Sequence, residues 1–180
     1  MKKKMKMPKK HKEIVEKLLK KYKSNKNVTG IYLFGSLAKG TATPKSDVDI
    51  EIIFKNRKKP YELLHKKVNG IKIDLSIYSL RKFEEDFSNK PYSMYVAVGS
   101  KILYDPKGII RKNLESIKKY FSRNKKIKKF WQKKEKKWKD AKKKGKTDKA
   151  ENYFDIMEKL ERDENNKIGS FKSKSLQIFK

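Results

Sequence analysis

The sequence predicts an α/β protein of the α+β kind, in which a small mixed β-sheet is flanked by helices and followed by a helical, lysine-rich C-terminal extension. Three observations lead to this fold class. Apolar and polar residues alternate in short segments, and apolar residues recur at helical spacing on both sides of them. The 36% of apolar residues is concentrated in these few segments of the 180-residue chain. We therefore expect one compact core with an appendage.

The predicted sheet comes from four segments. "VTGIYLF" (28–34) is a short apolar, β-branched run that is typical of a buried strand. "SDVDIEIIF" (46–54) and "IKIDLSIY" (71–78) alternate, so each is expected to bury one face. "KILYD" (101–105) is predicted to be a short edge strand. The intervening "PYELLHKKVNG" (60–70) is predicted to be a helix or an irregular link that ends in the turn Asn69-Gly70.

Helices are predicted before and after these strands. Residues 10–24 carry apolar side chains at helical spacing, "SLAKG" fits a brief helical turn, and "SLRKFEEDF" begins with a serine that can cap a helix. "PYSMYVAV" is expected to be a short buried helix begun by Pro91. Apolar stripes predict three more helices: Ile110, Leu114, Ile117 and Phe121; Ile127, Trp131 and Trp138; Tyr153, Ile156, Met157 and Leu160.

These patterns divide the chain into a domain of residues 1–106, with its core at 28–105, and a helical basic region of residues 107–180. The tail after residue 163 is expected to be poorly ordered. Cysteine is absent, so neither disulfides nor thiolate metal sites are available. No apolar run approaches the roughly 20 residues that span a bilayer, and the start lacks the apolar core of a signal peptide. We therefore expect a cytoplasmic protein without a membrane segment.

The formal charge of +30 has two interpretations. Lysines that neutralise phosphates would give salt-dependent binding to nucleic acid. Alternatively, a genome rich in A and T encodes lysine wherever a soluble side chain suffices, and here lysine outnumbers arginine 46 to 5. Residues 1–26 and 105–150 are strongly basic, whereas residues 30–80 are more nearly balanced. The charge alone leaves both interpretations open.

Three carboxylates carry the main chemical signal. Asp47 and Asp49 are two residues apart on a predicted strand, so their carboxylates point to the same side, about 6 to 7 Å apart along the chain. Asp74 lies on the polar face of a later strand, and the three converge if these strands are neighbours. Clustered carboxylates repel one another unless a cation neutralises them, and Mg²⁺ prefers such oxygens. Two such ions can activate an attacking oxygen and stabilise a leaving phosphate.

A glycine and a serine precede the carboxylates at the end of a predicted strand. At Gly35 and Ser36 the backbone amides and a hydroxyl can hold an anion. The ordered set of Gly-Ser, a second glycine, Asp-x-Asp and a later aspartate resembles the nucleotidyltransferase superfamily related to DNA polymerase beta. The form "GSLAKG…SDVDI" is most similar to the minimal nucleotidyltransferases of bacteria and archaea. The resemblance covers about residues 28–105 and implies the nucleotidyltransferase fold.

The resemblance also implies a role for each matching residue. Gly35 and Ser36 would hold the triphosphate of an NTP, with ATP as the expected substrate. Asp47 and Asp49 would bind Mg²⁺, with two ions expected in the site. Asp74 would bind the catalytic metal and help to deprotonate the acceptor hydroxyl. The remaining expected nucleotide or phosphate contacts are Lys39, Gly40 and Ser46.

Other polar and aromatic residues are assigned by their surroundings. Glu51 adds a fourth carboxylate to the metal-facing side, and it would complete the set in place of Asp74 if the third strand were out of register. His11 and His65 are expected to be surface residues without a partner. The two tryptophans are expected to be packing residues.

The expected activity is transfer of an NMP from an NTP to an acceptor hydroxyl, with release of pyrophosphate. The surplus of lysine makes an RNA, such as tRNA, the first candidate acceptor. Within the same chemistry, the acceptor could be a protein, as in antitoxins that adenylylate a partner toxin, or an aminoglycoside-like small molecule. From a different class, the chain could be a non-catalytic RNA-binding module on a degenerate transferase fold. Retention of all three aspartates favours an enzyme.

Overall fold

The computed structural model describes residues 7–143. The predicted stripe from Tyr153 to Leu160 and the tail after residue 163 lie outside the described residues. Those that are described fall into two compact units, residues 7–119 and residues 120–143. The first unit contains the whole β-sheet.

The sheet has five strands and is mixed. Its order is β3-β4-β2-β1-β5. Strands β2 and β4 run parallel, and the other neighbouring pairs are antiparallel. The predicted small mixed sheet is therefore confirmed. The strands are β1 (Val28–Leu33), β2 (Val48–Phe54), β3 (Tyr61–Val68), β4 (Ile71–Ser79) and β5 (Lys101–Tyr104).

The helices form where the apolar spacing predicts them. Ser79 caps the third helix, because its Oγ accepts a hydrogen bond from the Lys82 amide at 3.2 Å. The segment after Pro91 is a 3₁₀-helix, Pro91–Ala97. The α-helices are α1 (Lys9–Lys23), α2 (Gly35–Lys39), α3 (Leu80–Asn89), α4 (Ile109–Arg123) and α5 (Lys125–Lys143).

The prediction of a helix or an irregular link for residues 60–70 is wrong, because these residues contain strand β3. β3 pairs with β4 along its whole length and satisfies the outer backbone groups of that strand. Only Leu64 of β3 packs against the hydrophobic core, so the apolar signal in the sequence is weak. The turn at Asn69 and Gly70 is confirmed, and both residues have positive φ, 51° and 81°, as a type I′ hairpin requires.

One face of the sheet packs against α1. Ile14 and Val15 of α1 are buried there against the apolar side chains of the sheet. These core residues alternate along the strands, as the sequence predicts, and leave the carboxylates on the opposite face, here called the acid face. The buried members from the central strands are Ile31, Leu33, Val48, Ile50, Ile52, Ile73, Leu75 and Ile77.

His11 lies on the buried side of α1, so the expectation of a surface residue is wrong. It is 1% exposed, and its Nε2 donates a hydrogen bond of 2.8 Å to the Ser46 carbonyl. Positions 11, 14 and 15 share one helix face, which explains the burial. The bond links α1 to the loop that leads into β2.

Part of the acid face is covered by α3. The Phe83 ring lies 6.3 Å from the rings of both Tyr32 and Tyr78, and 4.4 Å from Phe87. The first turn of α4 packs nearby on β1, where a Cβ at Gly30 would collide with the Ile110 side chain. This end of the face is therefore a second, aromatic core.

Two of the three predicted C-terminal stripes lie in the described residues, and the members that are described there are buried. Ile110, Leu114 and Ile117 are buried in the first unit, and Phe121, Ile127 and Trp131 in the second. Burial of Trp131 agrees with a packing role, while the Trp138 side chain lies outside the described part. Within residues 7–143, no helix is long and apolar enough to cross a membrane.

Candidate active site

Two of the three predicted carboxylates are direct neighbours in the sheet. Asp49 of β2 is the register partner of Asp74 of β4. The strands are parallel and about 4.8 Å apart, and both side chains lie on the acid face. Strand β4, which carries Asp74, is therefore in the register that the Asp74 assignment requires.

Gly35 brings the predicted phosphate-binding turn against this pair. It is the first residue of α2, separated from the end of β1 by Phe34, and has a φ of 66°, which glycine adopts without strain. A Cβ at this position would collide with Oδ2 of Asp49. Ser36 follows Gly35 in the first turn of α2. Glycine is therefore required here both by the backbone conformation and by the closeness of the Asp49 carboxylate.

Asp47 lies one residue before β2, at the end of a hydrogen-bonded loop. Ser46 Oγ accepts a hydrogen bond from the Thr43 amide at 2.9 Å, and the Ser46 amide donates to the Thr43 carbonyl at 3.0 Å. The hydrogen bond from His11 Nε2 to the Ser46 carbonyl also fixes this loop to α1. In this structure Ser46 thus shapes the approach to Asp47, and a nucleotide contact by Ser46 stays a prediction.

Lys39 and Gly40 lie at the end of α2. Gly40 is the left-handed C-cap of the helix, with a φ of 69°. Lys39 is exposed, and its aliphatic part runs beside Gly99. Their roles toward phosphate stay predictions.

His65 is the residue that sequence reasoning missed. It is exposed, as expected, but the expectation that it has no partner is wrong. His65 is the register partner of Asp74 on β3, and its Nδ1 lies 2.7 Å from Asp74 Oδ1. The signal was hidden because residues 60–70 were not predicted to form a strand. His65, Asp74 and Asp49 therefore form one row across the acid face.

Glu51 takes no place in this row. It is 8% exposed and lies next to the aromatic core, where the Tyr32 hydroxyl donates a 2.5 Å hydrogen bond to Glu51 Oε1. Burial raises the pKa of Glu51 from its ordinary 4.5 to about 8, although the Tyr32 bond acts in the opposite direction. The carboxyl is therefore neutral over most of the acidic and neutral pH range.

The donor chemistry of the aspartates fits Mg²⁺. Within residues 7–143, no three His, Cys, Asp or Glu side chains are grouped so that they could hold one ion. Asp49 and Asp74 nevertheless supply two carboxylates side by side. Mg²⁺ is commonly bound by one or two carboxylates together with water and substrate phosphates, so this pair is a sufficient protein contribution.

A glycine turn beside an acidic pair on a mixed sheet is the arrangement that the resemblance to nucleotidyltransferases implies. Residues 16–98 match the family described as "Polymerase beta, Nucleotidyltransferase". A protein of Methanocaldococcus jannaschii named "Putative protein adenylyltransferase" is 34% identical over 116 residues, which cover 59% of this chain and 79% of that protein. The chain therefore belongs to the polymerase beta-like nucleotidyltransferase superfamily, and the resemblance predicted from the motif is confirmed.

Among solved structures, a nucleotidyltransferase-like protein from Exiguobacterium sibiricum is similar, with a TM-score of 0.47 and 10% sequence identity. The match covers 59% of this chain and 38% of that one.

The first prediction concerns Gly35. We expect Gly35→Ala to lower nucleotidyl transfer at least about 100-fold, because the new Cβ must displace the Asp49 carboxylate and small misplacements at a reacting site cost that much. Gly108→Ala is the matched control, since Gly108 has a similar φ of 69° but open space around it. Steady-state rates per folded molecule check this. Equal losses in both variants would show that backbone strain alone is responsible.

The second prediction concerns His65. His65→Ala should lower kcat about 10-fold or more with little change in the KM for ATP, because hydrogen-bond partners that orient ligating carboxylates have effects of this size. His65→Asn should recover most of the loss, since its amide nitrogen can replace Nδ1. Steady-state kinetics of the three proteins measure the split. An alanine variant that matches the wild type would contradict the positioning role.

The third prediction concerns Glu51 and pH. The folded state keeps the proton between pH 4.5 and about 8 while the unfolded state releases it, so Glu51 should make the free energy of unfolding fall as pH rises across this window. Glu51→Gln should remove this part of the decline, and the exposed Glu16→Gln should not. Urea unfolding at several pH values with EDTA gives the comparison. Parallel pH profiles for Glu51→Gln and the wild type would refute the assignment.

Proposed function

We propose that this protein transfers AMP from ATP to the hydroxyl of an acceptor, with Mg²⁺ and release of pyrophosphate. The observation that carries the proposal is the register of Asp49 beside Asp74, with Gly35 packed against Asp49. Family membership supports nucleotidyl transfer in general. The name of the Methanocaldococcus relative, an adenylyltransferase, supports ATP as the donor.

The triphosphate and the acceptor would bind on opposite sides of Asp49. Gly35 and Ser36 would hold the triphosphate with backbone amides and the serine hydroxyl. Asp74 lies on the far side of Asp49 from this turn, so the acceptor would approach over β4. Its hydroxyl oxygen forms a bond to the α-phosphorus, the bond from that phosphorus to the bridging oxygen breaks, and pyrophosphate leaves.

On the acceptor side, Asp74 would act as the base that takes the proton of the acceptor hydroxyl. His65 contacts Oδ1, which leaves Oδ2 to take the proton of the acceptor hydroxyl. Asp49 and Asp74 would hold Mg²⁺ together with water and substrate phosphates, and the motif adds Asp47 as a further expected ligand. When bound, the ion supplies charge neutralisation for the phosphates and the attacking oxygen. The remaining contribution of the chain is positioning.

Two acceptors have specific support. RNA is favoured by the basic charge of the chain, which suits a polyanion. A protein hydroxyl is favoured by the relative, whose name specifies a protein adenylyltransferase. The Lys39, Gly40 and Ser46 contacts to nucleotide belong to the proposal in either case.

The fourth prediction tests the reaction and identifies its acceptor. Incubation with ATP labelled at the α-phosphate, Mg²⁺, total RNA and total protein should give a labelled macromolecule. Asp49→Asn and Asp74→Asn should each lower the rate at least about 100-fold, because metal-assisted charge stabilisation contributes several kcal/mol. Asp140→Asn, an exposed aspartate on α5, is the matched control. EDTA should abolish labelling by the wild type.

The outcomes separate the function classes. Label in RNA or in protein supports transfer and identifies the acceptor class, whereas label only in an added aminoglycoside would indicate a small-molecule enzyme. Tight RNA binding without transfer from any of the four NTPs would overturn the proposal in favour of a non-catalytic RNA-binding module.

A further inference from the structure

We propose that the acid face of β3 binds the acceptor and that this acceptor is the end of a single-stranded RNA. The inference rests on the proposed function and assigns it a surface. Alternate residues of β3 lie on the acid face, and together they are called the β3 strip: Tyr61, Leu63, His65 and Lys67.

The location of the β3 strip follows from the strand order. The phosphate-binding turn at Gly35 follows β1, and Asp49 and Asp74 lie on β2 and β4. In the sheet formed by the described residues, only β3 lies beyond β4, and it is the edge strand. An acceptor that reaches Asp74 from the side opposite the triphosphate must therefore cross the β3 strip.

The β3 strip is accessible and partly aromatic. Tyr61 is 39% exposed and Leu63 is 43% exposed, and the two lie on the same face of β3. Tyr61 is supported from the sheet by Tyr78, whose ring centroid is 4.6 Å away. A supported, exposed ring next to an apolar side chain is a surface on which a nucleobase can stack.

The charge around the β3 strip suits a polyanion. Residues 55–72, which contain β3 and its two turns, carry seven Lys and Arg side chains and one carboxylate, Glu62. That carboxylate is already paired with Arg57 and Lys59. Both ends of the β3 strip are therefore basic, with Lys67 and Lys72 paired across the strands at one end.

A cavity adjoins the other end of the β3 strip. It has a volume of about 530 Å³ and lies beside Pro60. Its cationic lining is Lys55, Lys58 and Arg81, together with Arg57, which is already paired with Glu62. Basic side chains of this kind bind phosphates of a nucleic-acid backbone. The β3 strip is about 20 Å long from Lys67 to Tyr61, so it can contact several nucleotides.

His65 links this surface to the reacting atoms. Its side chain is 71% exposed, yet its Nδ1 contacts Asp74 Oδ1. A terminal ribose over His65 would bring a hydroxyl next to Asp74, with Lys67 beside the phosphate of the terminal nucleotide and the preceding base near Leu63 and Tyr61. Exposed aromatic surface, flanking cations and a catalytic carboxylate in one line fit a single-stranded RNA end better than a folded protein.

The fifth prediction uses the two faces of β3 as matched pairs. Lys67→Glu and Tyr61→Ala change the β3 strip, whereas Lys66→Glu and Val68→Ala change exposed residues on the opposite face of the same strand. Binding of a short single-stranded RNA is measured by fluorescence anisotropy in EDTA over a range of salt concentrations. The KM for the same RNA is measured in the transfer assay.

We expect Lys67→Glu and Tyr61→Ala each to weaken binding about fivefold or more, as lost phosphate and stacking contacts do. The slope of log affinity against log salt should fall by about 0.7 for Lys67→Glu. The two opposite-face variants should change affinity by less than about twofold. Ultraviolet crosslinking of an RNA with a 3′-terminal 4-thiouridine should map to residues 61–67.

Three results would overturn the inference. In the first, the wild-type protein transfers AMP to RNA, but variants on the two faces of β3 change RNA affinity equally. The assigned surface is then wrong, and the proposed function stands. Label that enters protein but not RNA would refute the RNA acceptor. Absence of transfer to any acceptor would overturn the proposed function, and the acceptor role with it, whichever face binds RNA.

Discussion

The parallel pairing of β2 with β4 is the constraint on which the site depends. The register that sets Asp49 beside Asp74 also sets Ile50 beside Leu75 in the core. A slip of one residue would turn the carboxylates into the core and the isoleucines out to water. Each buried Leu or Ile side chain contributes about 1.5 to 3 kcal/mol, so such a slip is strongly disfavoured. Apolar packing on the core face of these strands thus holds two mutually repelling carboxylates together on the acid face.

Two side chains of β2 on the acid face, Asp49 and Glu51, lie in different environments although they are only two residues apart. Asp49 stays partly exposed beside Gly35, whereas Glu51 is buried next to Tyr32 and the rings of α3. Burial disfavours the charged form, which is why the pKa of Glu51 rises to about 8. One strand therefore carries a partly exposed carboxylate at the candidate site and a largely neutral one in the core. The position of α3 along the face therefore decides which of the two acids stays accessible to solvent.

Much of this architecture could be predicted from the sequence, and the failures have physical causes. Strict alternation identified β2 and β4, and with them the face that Asp49 and Asp74 share. β3 was missed because an edge strand buries little, so its apolar pattern is weak, and its strand form comes from pairing with β4. The His65 contact depends on that tertiary pairing and has no local signal. His11 did have one, since it shares a helix face with Ile14, but its polarity concealed the burial.

The net charge of +30 suits a polyanion but does not show where one would bind, whereas the placement of charge beside the candidate site does. Lysines on an edge strand prevent unwanted strand pairing, and Lys66 and Lys67 serve that purpose on either face. Edge protection does not require an exposed tyrosine and leucine, since these side chains make an edge more prone to association. Tyr61 and Leu63 lie on the face that carries Asp74, where the proposed acceptor would pass. Their exposure costs solubility and is therefore best explained by a partner that covers them during the reaction.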